Sequence, residues 1–296
     1  MKRLLITGGS GYLGAWLMQA AAAHGWDVHG WDVHGTYHTR PFATVAAQAH
    51  HLDLADPNVV ADLVAELQPD AIIHTACSNR DTANVAAIEP AALNLARAAR
   101  EHGPHLVHVS TDLVFDGEHA PYDDDARLAP KGAYGRAKAA AEALVAEHCP
   151  SAARVRPSLI WSLDPLDRQT TWLVDGMRRG ERVTLFTDEF RCPVHLDDLC
   201  AVLLELAARP DLAGPFNVGG PQALNRWDFG LKLLAALGLP RGSNVVPGTV
   251  AESGLERARN LTLRCSRAQQ SLSSHRRAVD EIISRPRARQ PRYCEG

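Results

Sequence analysis

Glycines at positions 8, 9, 11 and 14 break the chain between the apolar run Lys2–Thr7 and the alanine- and leucine-rich segment Ala15–His24. An apolar run of that length reads as a buried strand, and the segment after the glycines reads as a helix closed by Gly25. A turn this rich in glycine lets a ligand approach bare backbone just where a helix begins. The unpaired N–H groups and positive dipole end of that helix suit an anion. The spacing Gly8-x-x-Gly11-x-x-Gly14 in a strand–turn–helix context predicts a dinucleotide pyrophosphate site, with Gly8, Gly11, Tyr12, Leu13 and Gly14 holding the cofactor.

The rest of the first half keeps the same rhythm. Ala71–Ala76, Leu106–Ser110 and Arg154–Trp161 are apolar runs of strand length, while Val59–Leu67, Leu93–His102 and Ala133–His148 fit helices between them. This alternation predicts an α/β fold, a Rossmann-type doubly wound parallel sheet with a smaller C-terminal substrate lobe. The expected division is residues 1–160 for the cofactor-binding domain, rejoined by about 192–218, with 161–191 and 219–296 as the second lobe. The arginine- and proline-rich end, Arg285–Gly296, is expected to be mobile.

The net charge of −3 gives no general reason to bind nucleic acid, and no apolar run is long enough to span a bilayer. No signal-peptide pattern follows Met1-Lys2-Arg3, so a cytoplasmic location is expected. The six cysteines, Cys77, Cys149, Cys192, Cys200, Cys265 and Cys294, form no C-x-x-C pair, and the histidines form no metal pattern. No metal is expected. The run Asp123-Asp124-Asp125 reads as a solvated loop. Oligomeric state stays open, with a homodimer as one expectation.

Choice of cofactor turns on the second strand. Trp26-Asp27-Val28-His29-Gly30 is repeated at once as Trp31-Asp32-Val33-His34-Gly35, which blurs the register. If Asp32 closes the strand, its carboxylate binds the ribose 2′-hydroxyl and selects NAD. If the second copy is itself the strand, the chain runs on through Thr36-Tyr37-His38-Thr39-Arg40, and Arg40 pairs with the 2′-phosphate of NADP. NADP is slightly preferred. Asp53 is expected near the adenine ring or as the cap of the next helix.

Tyr134 and Lys138 lie four residues apart, on one helix face. A nearby ammonium favours phenolate, so the pair can move a proton near neutral pH. Ser110-Thr111-Asp112 ends a strand, where open α/β sheets bind ligands. Thr111, Tyr134 and Lys138 are therefore the candidate catalytic residues. These elements, in this order, resemble the extended short-chain dehydrogenase/reductase superfamily. The stretch Ser110-Thr111-Asp112-Leu113-Val114-Phe115-Asp116-Gly117, then Pro121-Tyr122, Tyr134-x-x-x-Lys138-x-x-x-Glu142, Arg156-Pro157-Ser158, Arg191-x-Pro193-Val194-His195 with Asp197-Asp198, and Phe216-Asn217-Val218-Gly219-Gly220 resembles its dTDP-4-dehydrorhamnose reductase branch.

The resemblance implies that Thr111 and Tyr134 hold a substrate carbonyl, that Tyr134 donates the proton, and that Lys138 binds the nicotinamide ribose. It implies hydride delivery to C4 of a nucleotide-linked 4-keto-6-deoxy sugar, with Asp112 and Arg191 touching substrate. Leu113 departs from the branch, which usually has an aromatic there, as does Arg264, where an acid is usual. The sequence His74-Thr75-Ala76-Cys77 stands where small residues are commoner. Two alternatives are a sugar-nucleotide epimerase or dehydratase, and a non-catalytic NADP-binding regulatory subunit. Dehydratase chemistry lacks its acid pair here, because apolar Leu113 follows Asp112.

Overall fold

The structure is a computed structural model that describes residues 2–22, 31–42, 47–77 and 82–284. The first half runs β1 (Arg3–Thr7), α1 (Tyr12–Ala22), β2 (Asp32–Tyr37), β3 (Gln48–His51), α2 (Pro57–Leu67), β4 (Ala71–His74), α3 (Thr82–Ala86), α4 (Ile88–His102), β5 (His105–Val109), α5 (Ala133–His148) and β6 (Ala153–Pro157). The second half runs β7 (Ile160–Trp161), α6 (Arg168–Arg178), β8 (Val183–Phe186), β9 (Phe190–Arg191), β10 (Val194–His195), α7 (Leu196–Ala208), β11 (Gly214–Val218), β12 (Leu224–Asn225), α8 (Arg226–Ala236) and β13 (Val245–Gly248). Seven strands form one parallel sheet in the order β11-β6-β5-β4-β1-β2-β3. The direction of winding reverses between β1 and β4, which leaves a crevice at the C-terminal ends of those strands.

Both faces of the sheet are covered, so its strands read as continuous apolar runs rather than alternating ones. Leu4, Ile6 and Ile73 pack under α1 and α7 with Leu17, Met18 and Leu199. Leu5, Ile72 and Leu106 face α2, α4 and α5, meeting Val64, Leu95 and Val145. The return to the main sheet comes at β11, which pairs with β6 from Gly214 opposite Ala153 to Val218 opposite Pro157. Strand β3 gave no sequence signal. It is a largely exposed edge strand of Gln, Ala and two His residues, without apolar periodicity.

The duplication resolves by register. Its second copy supplies β2, with Arg3 opposite Asp32 and Leu4 opposite Val33. The first copy and Arg285–Gly296 with Cys294 lie outside the described residues, as do the expected helix end at His24 and its closing Gly25. Helix α1 starts at Tyr12, three residues before the expected Ala15.

Asp123-Asp124-Asp125 is not simply solvated. Asp124 is buried and accepts the backbone N–H of Asn217 at 2.6 Å and of Arg267 at 3.1 Å. Exposed Asp123 pairs with Arg264 at 3.2 Å, so the arginine at this unusual position answers a carboxylate on the neighbouring loop. Among the described residues no helix is long and apolar enough to cross a membrane.

Candidate active site

The crevice between β1 and β4 opens into a cleft of about 480 Å³. Its floor begins at the glycine turn. Gly8 takes a φ of +76°, and a Cβ there would come within 2.8 Å of the Ala76 backbone. A Cβ on Gly14 would overlap the carbonyl oxygen of Gly8. The two positions thus exclude a side chain for different reasons: a left-handed backbone at one and the close seating of α1 at the other. Gly11, Tyr12 and Leu13 line the same floor. The Tyr12 hydroxyl also donates to the Pro165 carbonyl at 3.4 Å, linking α1 to the second half of the chain.

Strand β2 settles which residues reach the cleft. Thr36 and Tyr37 end the strand, His38, Thr39 and Arg40 follow it, and all five line the wall, with Gly9 N–H donating to the Thr36 carbonyl at 2.8 Å. Asp32 begins β2, at the opposite edge of the sheet, and pairs there with Arg3 at 3.8 Å and with His34 at 3.3 Å. A parallel strand carries its start about 3.3 Å per residue away from its end, so the expected ribose contact of Asp32 is corrected. Asp53 does line the cleft, but it is not the cap of α2. Its Oδ1 accepts from Ala55 N–H, while Asp56 caps the helix through Asn58 N–H.

Ser110 and Thr111 leave the end of β5 into the cleft. Thr111 Oγ1 accepts from Leu113 N–H at 3.3 Å and caps the short 3₁₀ turn Asp112–Val114, which fixes its hydroxyl at the cleft wall. Across from it, α5 presents Tyr134, whose hydroxyl lies 3.6 Å from Cys77 Sγ on the turn after β4. Burial, then the neighbouring Cys77, then Asp112 push the Tyr134 hydroxyl well above its ordinary range. The expected lowering by Lys138 is not realised. The Lys138 ammonium, only 1% exposed, donates instead to the Val109 carbonyl at 2.7 Å. Sequence reasoning assigned Cys77 and Ser158 no role at this site. Each carries only a small polar group, with no local pattern to signal it.

Asp112 and Arg191 line no part of the cleft. They pair with each other at 3.6 Å and are 6% and 7% exposed. Asp112 also accepts from Ser158 Oγ at 2.9 Å, and Arg191 pairs with Glu189 at 3.2 Å. In this structure the charged groups of these two residues, expected at the substrate, meet each other, and like Lys138 they do not line the cleft. They form a buried brace that holds the turn carrying Thr111.

Below the cleft, His74 Nδ1 and Thr7 Oγ1 lie 2.7 Å apart. Burial, and next the Lys138 charge, lower His74 from 6.5 to about 3. The sign follows directly. Stability is full above the unfolded value of 6.5 and is lost as the pH falls from there toward about 3, because only the unfolded chain takes up the proton. The expected contribution is about 1.4 kcal/mol per pH unit. Urea midpoints measured at steps from neutral to acid pH should fall less steeply in His74→Gln; parallel slopes would refute this.

Comparison with known proteins is consistent with this geometry. Among curated relatives, methionine adenosyltransferase 2 subunit beta of Danio rerio is 29% identical over 283 residues, covering 90% of this chain and 84% of that protein. A probable low-salt glycan biosynthesis reductase of Haloferax volcanii is 28% identical over 245 residues, covering 79% of each chain. Among solved structures, dTDP-4-dehydrorhamnose reductase from Bacillus anthracis in complex with NADP superposes with a TM-score of 0.80 at 22% identity, covering 96% of this chain and 98% of that one. The Bordetella bronchiseptica enzyme WbmG in complex with NAD and UDP gives a TM-score of 0.78 at 18% identity, covering 93% and 90%. These structures share the fold. The family model described as the RmlD substrate binding domain matches residues 1–287, and the chain belongs to that family.

Proposed function

We propose that this protein is a nicotinamide-dependent reductase of a nucleotide-linked 4-keto-6-deoxy sugar, similar to dTDP-4-dehydrorhamnose reductase. The observation that carries the reading is the meeting of three elements in one cleft: the glycine turn, Thr111 and Tyr134. Similarity to a structure that holds NADP and to one that holds NAD and UDP supports the cofactor and substrate classes.

The residues present suit a dinucleotide. The bare turn at Gly8, Gly11 and Gly14 and the start of α1 at Tyr12 and Leu13 would hold the pyrophosphate. Arg40 would pair with a 2′-phosphate, Asp53 would sit near the adenine, and Lys138 would meet the nicotinamide ribose. When bound there, a reduced nicotinamide would supply the hydride for the carbonyl carbon. Thr111 and Tyr134 hydrogen-bond the carbonyl oxygen, and the Tyr134 hydroxyl gives it the proton that completes the alcohol. A hydroxyl whose pKa is pushed upward stays protonated at neutral pH, as a donor must. In this reading the segments 161–191 and 219–284 form the substrate side, and the described residues of 2–160 with β11 form the cofactor side.

The test is consumption of NADPH and of NADH with an enzymatically generated dTDP-4-keto-6-deoxy sugar. Turnover that is faster with NADPH is expected. Arg40→Ala should weaken NADPH binding by roughly 10- to 100-fold, the worth of one charge-assisted hydrogen bond, and leave NADH binding nearly unchanged. Equal losses for both cofactors would remove Arg40 from the phosphate. A second reading, a cofactor-binding subunit without turnover, is favoured by the likeness to methionine adenosyltransferase 2 subunit beta. It predicts nicotinamide binding with no reduction of the sugar.

A further inference from the structure

Among the described residues, the group that meets the Tyr134 hydroxyl is the thiol of Cys77, with Sγ 3.6 Å from the hydroxyl oxygen. Either atom can donate in that contact. The other two groups expected around the hydroxyl are engaged elsewhere. Thr111 Oγ1 accepts from Leu113 N–H at 3.3 Å and donates to Asp112 at 3.5 Å. The Lys138 ammonium is buried, does not line the cleft, and donates to the Val109 carbonyl at 2.7 Å.

The backbone beneath the thiol holds it in place. Cys77 follows β4 on a turn fastened to β1. Thr75 Oγ1 donates to the Thr7 carbonyl at 2.6 Å, and Ala76 N–H donates to the Thr7 hydroxyl at 3.4 Å. Thr7 is fully buried, and its hydroxyl also meets His74 Nδ1 at 2.7 Å. Two successive residues tied to a buried strand leave the next one little freedom to swing away. Among the described cysteines, Cys149, Cys192, Cys200 and Cys265 are buried and Cys77 is exposed. Its sulfur thus lies between solvent and the half-buried ring of Tyr134, and both side chains line the cleft.

That position suits a proton path. A tyrosine that has given its proton to a carbonyl oxygen is a phenolate, and it must be reprotonated before the next turnover. Burial favours the neutral hydroxyl. A thiol is in general a stronger acid than a phenol, so a proton moves from sulfur to phenolate oxygen without an uphill step.

We propose that Cys77 is a further catalytic residue, the relay that returns a proton to Tyr134 after each turnover. The Tyr134 O–H bond breaks as the substrate oxygen gains its hydrogen. The Cys77 S–H bond then breaks as the Tyr134 O–H bond reforms, and the thiolate takes a proton from solvent. No electrons change hands in the relay. The inference rests on the reading of Tyr134 as the proton donor of a reductase.

The test compares Cys77→Ala and Cys77→Ser with the wild-type protein, using NADPH and the dTDP-4-keto-6-deoxy sugar. Cys77→Ala should lower steady-state kcat about tenfold, less than the loss of the donor itself. NADPH affinity should not change. The first turnover, seen as a burst of NADPH oxidation, should keep its wild-type rate, because Tyr134 starts protonated. A merely structural role would slow the first turnover and the later ones alike. Cys77→Ser, whose hydroxyl can pass a proton in concert with water, should recover most of kcat. Independently of turnover, saturating NADPH should slow alkylation of Cys77 by iodoacetamide, followed by mass spectrometry. A Cys77→Ala protein with wild-type kcat overturns the proposal, as does one whose first turnover slows equally, a Cys77→Ser protein no better than Cys77→Ala, or alkylation that NADPH leaves unchanged. A wild-type protein that binds NADPH without turnover overturns the reductase reading and the relay with it, whereas an active wild type with an equally active Cys77→Ala overturns the relay alone.

Discussion

Tyr134→Phe is expected to lower kcat/KM for the keto sugar by about 10²- to 10⁴-fold, the usual worth of a positioned proton donor. NADPH affinity should stay within about threefold. The change removes one oxygen from a ring whose hydroxyl, among the described residues, meets only Cys77 Sγ, at 3.6 Å, so no network collapses with it there. The helix that carries it is held elsewhere, by Ala141 and Val145 in the core under the sheet. Loss of turnover with unchanged cofactor binding and an unchanged melting temperature would assign the proton to this hydroxyl. Wild-type turnover in Tyr134→Phe would move the donor role to another group at the cleft.

The largest expected effect on stability lies on the same helix. Glu142→Leu should cost about 3–5 kcal/mol, measured as a shift in the urea or thermal midpoint. Arg156 on β6 donates three hydrogen bonds to the Glu142 carboxylate at 2.8–3.1 Å, and both side chains are more than 90% buried. Arg156 also donates to the Asp124 carbonyl at 2.7 Å and lies over the Phe115 ring. Removing the carboxylate leaves a buried guanidinium with one carbonyl acceptor, and the cost is that of an unpaired charge rather than of a lost attraction. Replacing both residues by apolar side chains of similar volume should recover much of the stability. A Glu142→Leu protein within about 1 kcal/mol of wild type would mean that water reaches Arg156. Tyr134, Lys138 and Glu142 thus recur at four-residue steps for three different purposes: a hydroxyl at the cleft, an ammonium beneath it, and an anchor to β6.

Much of the fold was legible because its signals are local. The strand before Gly8, the turn and α1 follow from apolar runs and glycine spacing within the twenty residues Arg3–Ala22. β4, β5 and α5 were readable for the same reason. β3 was not, because an exposed edge strand needs no apolar pattern. Thr111 and Tyr134 were legible as candidates because strand ends and helix faces can be read from periodicity. Their meeting in one cleft depends on the order β5-β4-β1 and on α5 packing behind it.

What the chain alone determined is the class of fold, the turn at Gly8–Gly14, and the shared face of Tyr134 and Lys138. Each rests on backbone geometry that repeats over a few residues. Tertiary structure decided the rest. Register set Arg40 at the cleft and Asp32 at the far end of β2, because two identical five-residue copies carry the same propensity and only pairing with β1 distinguishes them. Ion pairing withdrew Asp112 and Arg191 from the cleft, since two charges distant in sequence are buried together or not at all. Alignment of three strands set Thr7, His74 and His108 in one buried row, a relation between residues up to 101 positions apart that no local pattern encodes.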